Sequence, residues 1–291
     1  MPELPEVETM RRGLLPIVGR QVVDVLKLPC PRKPIAVVPR IDHMRRRMVG
    51  ETVEAIDRVG KRVVVVLASG DRLVIEPRMT GLVLVADPPD PLYLRLRFDV
   101  SGRKPTSFYY WDRRGLGNVR LYSPAEFTTQ LGPEKLGPDA LVMTADEYRS
   151  RLKASKRAVK VALLDQKVVA GIGNLYAAEL LYVAGIHPEM ACHRLTRDQW
   201  QRLADASVAV LEEAIRYEGS TLGDGTYRNA LNQNGSYQNL HRVYGREGLP
   251  CPQCGTAIQR TVQAQRATFF CAACQSKRRR PTEFAVFKRQ Q

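Results

Sequence analysis

Two cysteine pairs near the carboxyl end constrain the fold of this chain more than any other feature. Cys251 and Cys254 form the first pair, Cys271 and Cys274 form the second, and residues 255–270 separate them. This spacing is typical of a tetrahedral zinc site whose intervening residues fold back as a hairpin. Two disulfides are the alternative, which we do not expect because the chain starts without an apolar leader. The sequence therefore predicts one structural Zn²⁺ bound by four thiolates.

The charge balance indicates a polyanionic partner. The 291 residues include 45 lysines and arginines against 30 acidic residues, which gives a formal net charge of +15. Such an excess favours nucleic acid, although ribosome or membrane association would also fit it. The basic residues cluster at 32–33, 45–47, 149–160 and 277–280. No segment is long and apolar enough to span a bilayer. We expect a monomer in the cytoplasm, associated with the nucleoid, that binds a polyanion.

The opening residues suggest a nucleophile. Removal of Met1 would expose Pro2 as a secondary amine, which titrates at about pH 8 and forms an iminium with an aldehyde-like carbon. Glu3 supplies a neighbouring carboxylate for proton transfer. A helix over residues 5–15 would place its positive end beside the amine and favour the unprotonated form. The alternative is an ordinary helix with a proline start and an acidic first turn.

Between residues 22 and 122 the pattern is one of short strands joined by turns. Apolar runs or alternation with period two predict strands at 62–67, 72–75, 92–98 and 107–111. Sequential hairpins without intervening helices indicate an antiparallel sandwich or barrel.

Helical periodicity begins after a segment punctuated by proline and glycine between residues 124 and 138. Apolar residues at three-to-four spacing predict helices over 146–152, 159–166, 175–183 and 197–218. The sequence therefore predicts an α+β protein with an amino-terminal β-sandwich and a helical carboxyl-terminal domain.

One glycine-rich segment, residues 167–174, precedes the third of these helices. Its two glycines allow tight turns, and Asn174 is expected to cap a helix over residues 175–184 that Gly185 ends. Free amides at such a helix start would bind a phosphate. A purely structural cap is the alternative.

Four segments, in this order, resemble formamidopyrimidine-DNA glycosylases: PELPEVET at 2–9, VVAGIGNLYAAELL at 168–181, VYGREGLPC at 243–251 and QRATFFC at 265–271. The resemblance runs from residue 2 to about 275. It implies a base-excision repair enzyme with DNA in the cleft between two domains. The implied parts are a catalytic β-sandwich domain (1–131), a helix–two-turn–helix domain (132–245), a zinc finger (246–276) and a basic extension (277–291).

The resemblance also implies the roles of single residues. Pro2 corresponds to the nucleophile that attacks C1′ of the damaged nucleotide, and Glu3 to the acid–base partner in ring opening and elimination. Lys61 corresponds to a lysine at the flanking phosphate, and Arg266 to an arginine that grips the lesion phosphates. The implied reaction removes 8-oxoguanine or a formamidopyrimidine from double-stranded DNA and then cleaves the strand by β,δ-elimination.

Further residues are expected to contact DNA: Met79, Arg114, Leu116, Lys156, Asn174 and Tyr244. In the family, a methionine fills the space left by the extruded base, and an arginine faces the orphaned base. Met79 and Arg114 match these two positions.

The loops around Met79 and Arg114 depart from the family pattern. The usual histidine-leucine-glycine is Glu76-Pro77-Arg78 here, Gly115 stands where an arginine is usual, and Leu116 replaces an aromatic wedge. A histidine expected near residues 90–94 is also absent. These departures leave lesion preference and opposite-base discrimination open.

Two other functions would fit parts of the sequence. The first is the sister branch of glycosylases that prefers oxidised pyrimidines, against which Leu4 argues because that branch usually has glycine there. The second is a non-catalytic protein that binds damaged DNA. Retention of Pro2 and Glu3 argues against the second function, since a pure binder requires neither.

Overall fold

The computed structural model describes residues 2–276, so the basic extension expected at 277–291 lies outside the described residues. The helices of this range are α1 (Leu4–Leu14), α2 (Ile41–Met48), α3 (Pro124–Leu131), α4 (Ala145–Leu152), α5 (Val159–Leu163), α6 (Asn174–Val183) and α7 (Arg197–Arg216). The strands are β1 (Val22–Lys27), β2 (Ala36–Val38), β3 (Val53–Val59), β4 (Arg62–Leu67), β5 (Arg72–Glu76), β6 (Gly81–Leu84), β7 (Leu94–Val100), β8 (Ser107–Asp112), β9 (Asn118–Tyr122), β10 (Gln259–Gln263) and β11 (Arg266–Phe270). No helix in residues 2–276 is long and apolar enough to cross a membrane.

Two sheets form the amino-terminal sandwich. One has the order β1-β7-β8-β6, and the other has the order β2-β9-β5-β4-β3. Neighbouring strands are antiparallel except for β2 and β9, which run parallel. The predicted sandwich is therefore confirmed. The strand predicted over 92–98 begins later, because Pro91–Tyr93 forms a turn in which the Asp90 carboxylate accepts a hydrogen bond from Leu92 N.

The carboxyl-terminal helices pack around a second apolar core. Thr196 caps the 20-residue helix α7, whose buried face includes Trp200 and packs on α4 and α6. The helix predicted over 159–166 is shorter than expected and ends at Leu163. Asp165, just beyond it, accepts a hydrogen bond from Lys167 N and so favours a turn.

At the junction of the two halves, a side chain from each half packs in the core of the other. Leu4 of α1 is fully buried in the helical core, whereas Tyr227, from the segment after α7, packs in the sandwich core. Arg58 of β3 lies on the same boundary, with its guanidinium 3.1 Å from Glu8 Oε2 and 2.6 Å from Asp139 Oδ2. This interlocking fixes the start of the chain between the two halves.

Strands β10 and β11 form the predicted hairpin between the cysteine pairs. Ala264 and Gln265 make its turn, and both have positive φ. Arg266 is the first residue after the turn, so the hairpin places this arginine at its tip.

Candidate active site

Glu3 lies at the amino end of helix α6. Its side chain is buried, and its carboxylate accepts hydrogen bonds from Leu175 N at 3.0 Å and Tyr176 N at 3.4 Å. The first amides of a helix are free to bind an anion, which the helix dipole also favours. Helix α6 thereby orients the Glu3 carboxylate beside Pro2, which is also buried.

The predicted cap at Asn174 is wrong. Helix α6 begins at Asn174 itself, after Gly173, and two of the amides expected to bind a phosphate bind Glu3 instead. A Cβ on Gly173 would lie 2.2 Å from the carboxyl carbon of Glu3, so only glycine permits this approach. The Glu3 carboxylate, which is distant in sequence, therefore takes the place of a capping side chain next to the helix.

A second carboxylate, Glu6, holds the backbone of Glu3. Glu6 Oε2 accepts a hydrogen bond from Glu3 N at 2.8 Å, and Oε1 accepts from Tyr176 Oη at 2.6 Å and Ser220 N at 2.9 Å. Burial, followed by the nearby charge of Glu3, raises the pKa of Glu6 above its ordinary value. Sequence reasoning missed Glu6, although the spacing of Glu3 and Glu6 is that of a capping box.

Lys61 and Arg266 approach this acidic pair from opposite domains. Lys61 occupies the turn between β3 and β4, and Arg266 is exposed at the tip of the β10–β11 hairpin. Burial lowers the pKa of Lys61. The charge of Glu3 opposes that shift, and the charge of Arg266 adds to it. Lys61 therefore lies within electrostatic range of both Glu3 and Arg266.

Lys160 of α5 is a site residue that sequence reasoning missed. Its side chain is fully buried, and Nζ donates to Asn174 Oδ1 at 2.7 Å, Ala267 O at 2.9 Å and Thr268 Oγ1 at 2.6 Å. Burial lowers its pKa to about 8, and the charge of Arg266 acts in the same direction. In the sequence, the signal that could have identified Lys160 is its position in a helix among residues whose apolar character predicts burial. Lys156, the expected DNA contact, is exposed on the preceding loop.

Tyr244 and Asn174 complete the group. Asn174 Nδ2 donates to Ala267 O at 3.0 Å, which ties α6 to the hairpin. Tyr244 N donates to the buried carboxylate of Glu179, and its ring packs edge-on against Phe269. Burial and the charge of Glu3 raise the pKa of Tyr244, whereas a hydrogen bond with Asn174 opposes the shift.

The four cysteines form a site that fits one zinc ion. Their Sγ atoms all lie within 4.8 Å of one another, with Cys251 and Cys274 3.9 Å apart and Cys254 and Cys271 3.5 Å apart. Zn–S bonds of about 2.3 Å in a tetrahedron require sulfurs about 3.8 Å apart. Tyr182 Oη of α6 lies 3.2 Å from Cys251 Sγ, so the metal unit packs on the helix that orients Glu3.

Met79, Arg114 and Leu116 form a separate group on the sandwich. Met79 lies between β5 and β6, whereas Arg114 and Leu116 lie between β8 and β9. Met79 and Arg114 are exposed and Leu116 is half-buried. These side chains can reach a bound molecule without displacing the core.

A buried amino-terminal carboxylate beside basic side chains from both halves of the chain suits acid–base chemistry on a polyanion. Three family models identify the polyanion as DNA. They describe a formamidopyrimidine-DNA glycosylase N-terminal domain (residues 1–119), the H2TH domain of the same glycosylases (131–225) and a zinc finger found in FPG and IleRS (248–277). The chain belongs to the formamidopyrimidine-DNA glycosylase family.

Individual relatives agree over nearly the whole chain. The formamidopyrimidine-DNA glycosylase of Chloroflexus aggregans is 39% identical over 282 residues, which cover 94% of this chain and 98% of that one. A Lactococcus lactis Fpg mutant in complex with Fapy-dG DNA is 32% identical, with a TM-score of 0.83 and coverage of 95% and 100%. A MutM structure with carbocyclic 8-oxo-G DNA is 31% identical, with a TM-score of 0.82 and the same coverage. The protein is thus a base-excision repair enzyme, a DNA glycosylase with abasic-site lyase activity.

Proposed function

We propose that this enzyme excises oxidised purines, namely 8-oxoguanine and formamidopyrimidines, from double-stranded DNA. The observation that most supports the proposal is the Glu3 carboxylate held beside Pro2 by α6 amides, with Lys61 and Arg266 close by. Similar structures in complex with Fapy-dG and 8-oxo-G DNA support this choice of substrate.

In the proposed reaction the Pro2 amine, freed of Met1, attacks C1′ of the damaged nucleotide. The glycosidic bond breaks, and the base leaves with the bonding electrons and takes up the proton that the Pro2 nitrogen loses. Glu3 then protonates O4′ as the sugar ring opens, which leaves an iminium between C1′ and the Pro2 nitrogen. Loss of a C2′ proton expels the 3′ phosphate, a second elimination expels the 5′ phosphate, and water releases the enzyme.

Cationic and polar groups around Glu3 bind the phosphates in this proposal. Arg266 offers a planar, always-charged fork to the phosphates at the lesion. Lys61 contacts a flanking phosphate, and Asn174 and Tyr244, which pack against the hairpin that carries Arg266, also contact DNA. One Zn²⁺ in a closed four-thiolate site would supply structural support alone, because four protein ligands leave no position for a substrate. The enzyme acts as a monomer on cytoplasmic, nucleoid DNA.

Trapping with borohydride tests the proposal. Borohydride reduces an iminium to a stable amine, so incubation with an 8-oxoguanine duplex should give an adduct that maps to the amino-terminal peptide. Pro2→Gly should greatly reduce both trapping and excision. An adduct on a lysine would contradict the assignment of Pro2, and faster excision of an oxidised pyrimidine would favour the sister branch.

A further inference from the structure

Two loops lie side by side on the sandwich, and a single buried carboxylate lies between them. The first loop, residues 77–80, holds Met79, and the second, residues 113–117, holds Arg114 and Leu116. We propose that Asp112 is the positioning residue that fixes these two loops relative to each other, so that their side chains together occupy the space of an extruded base. This inference rests on the function proposed above and deepens it.

Every hydrogen bond to the Asp112 carboxylate comes from one of the loops or from the strand beside them. Asp112 is fully buried as the last residue of β8. Oδ1 accepts from Thr80 Oγ1 at 2.5 Å and from Arg114 N at 3.1 Å. Oδ2 accepts from Gly117 N at 2.9 Å and from Tyr110 Oη at 3.4 Å. One side chain therefore binds the end of the first loop and both ends of the second.

Thr80 also connects the two loops directly. Its Oγ1 donates to Asp112 and accepts a hydrogen bond from Arg114 N at 3.0 Å, although Thr80 directly follows the exposed Met79. A carboxylate offers about four lone-pair sites, and four donors occupy those of Asp112. Because Thr80, Tyr110 and Gly117 are buried, an apolar residue at position 112 would leave their donors without this acceptor.

A third segment encloses the second loop. Arg95 is buried, with Nε donating to Asp112 O at 2.8 Å and a terminal nitrogen donating to Lys33 O at 2.9 Å. Gly115 has a φ of +62°, and a Cβ there would lie 2.2 Å from Lys33 O. An arginine at position 115 would therefore displace the backbone. The glycine is the residue that this close approach requires.

The backbone and the side chains of the two loops lie in different environments. The backbone is bound by buried groups, while Met79, Arg114 and half-buried Leu116 face outward. A buried carboxylate is unfavourable unless donors compensate it. Here four donors compensate it, and two of them are the amides of Arg114 and Gly117 in the second loop. Asp112 is fully buried, so it acts through the loops.

The test compares Asp112→Asn and Thr80→Val with Asp99→Asn as the matched control. Asp99 is in the same sheet and accepts hydrogen bonds from Arg97 and Ser107, remote from the two loops. Each variant is assayed for hydrogen exchange at residues 77–82 and 112–118, for single-turnover excision from an 8-oxoguanine duplex, and for cleavage of a single-stranded abasic oligonucleotide. The abasic strand has no base to extrude and no orphaned partner.

Asp112→Asn and Thr80→Val should speed exchange in both loops and slow duplex excision by about tenfold or more, because small misplacements of positioning groups have large kinetic effects. Cleavage of the single-stranded abasic substrate should stay within about twofold of wild type, and Asp99→Asn should change none of these readouts. Unchanged exchange, or equal losses on both substrates, would overturn the inference. A wild-type enzyme inactive on the 8-oxoguanine duplex would instead refute the proposed function, and the exchange data would still test Asp112.

Discussion

The group around Glu3 and the two loops around Asp112 share one arrangement, in which a buried carboxylate accepts hydrogen bonds from backbone amides. Glu3 binds the amides of Leu175 and Tyr176, while Asp112 binds those of Arg114 and Gly117. Glu3 joins segments from opposite ends of the chain, whereas Asp112 joins neighbours within one sandwich. The two carboxylates also differ in their neighbours, since Glu3 adjoins the proposed nucleophile, whereas Asp112 adjoins loops with exposed side chains.

This difference explains where the chain departs from its family pattern. Around Glu3 the residue types match the pattern, because the carboxylate, the glycine before α6 and the basic groups each have a geometric or chemical requirement. Around Asp112 the backbone is held by buried bonds, so residues such as Leu116 can differ without loss of the loop shape. Changes in the first region should abolish the reaction, and changes in the second should alter its selectivity.

Glu3→Gln should give the largest effect. Glutamine can accept the shorter bond, from Leu175 N, through its one side-chain oxygen, but not the Tyr176 N bond to the second oxygen. The fold should persist with one of these two bonds, but glutamine cannot transfer a proton. Loss of a positioned acid–base group typically slows a reaction by about 10²–10⁴-fold, and single-turnover excision measures this. Glu54→Gln, which changes an exposed carboxylate of β3, is the control and should retain the wild-type rate. If Glu3→Gln excises the base as fast as wild type, Glu3 is not the proton donor.

Cys271→Ser should loosen the hairpin while the sandwich stays folded. Structural zinc contributes about 10–16 kcal/mol of apparent binding energy in small zinc-binding units, so loss of one thiolate should free Arg266 from its position. We expect about one zinc per wild-type chain by metal analysis and a large loss of affinity for lesion DNA in the variant. Cys30→Ser, which removes a cysteine outside the cluster, should bind like wild type. Full affinity in zinc-free protein would show that the metal does not support the DNA contact.

Lys160→Met should cause a smaller loss, of about tenfold in excision, because Asn174 still ties α6 to the hairpin. The pKa of Lys160 is lowered to about 8, so its positive charge is present below that pH and disappears as the pH rises through it. The difference between wild type and Lys160→Met should therefore shrink between pH 7 and pH 9. Lys153→Ala, which removes an exposed cation just after α4, is the control. A loss in Lys153→Ala as large as that in Lys160→Met would show that overall positive charge, and not the buried contacts of Lys160, sets the rate.

The sequence predicted the parts of this site better than their connections. Periodicity and turn residues predicted the sandwich and the helices, and the cysteine spacing predicted the hairpin, because each signal is local. The roles of Glu6, Lys160 and Asp112 depend on partners in other elements, and no local pattern specifies those partners. The predicted Asn174 cap failed for the same reason, since the anion that binds α6 lies 172 positions away from Leu175.

The smallest expected effect is at Leu116, which adjoins the position of the orphaned base in the proposed complex. Leucine buries apolar area but lacks an aromatic face, and stacking on such a face is worth about 1–3 kcal/mol per base. The wild-type enzyme should therefore discriminate weakly among the four bases opposite 8-oxoguanine. Leu116→Phe should increase this discrimination by about fivefold, because leucine already buries apolar area and the added aromatic face is then worth about 1 kcal/mol, the lower end of that range.

Single-turnover excision with each opposite base measures this discrimination. Leu116→Met is the matched control, because methionine has a similar volume and no ring, so it should behave like wild type. Since Asp112 and Thr80 hold the backbone of this loop, either variant should leave the loop in place and report on the side chain alone. If the wild-type enzyme already excises 8-oxoguanine opposite adenine very slowly and Leu116→Phe changes no rate, groups other than Leu116 hold the base opposite the lesion. In that case Arg114, whose amide Asp112 and Thr80 both bind, would be the residue that decides selectivity.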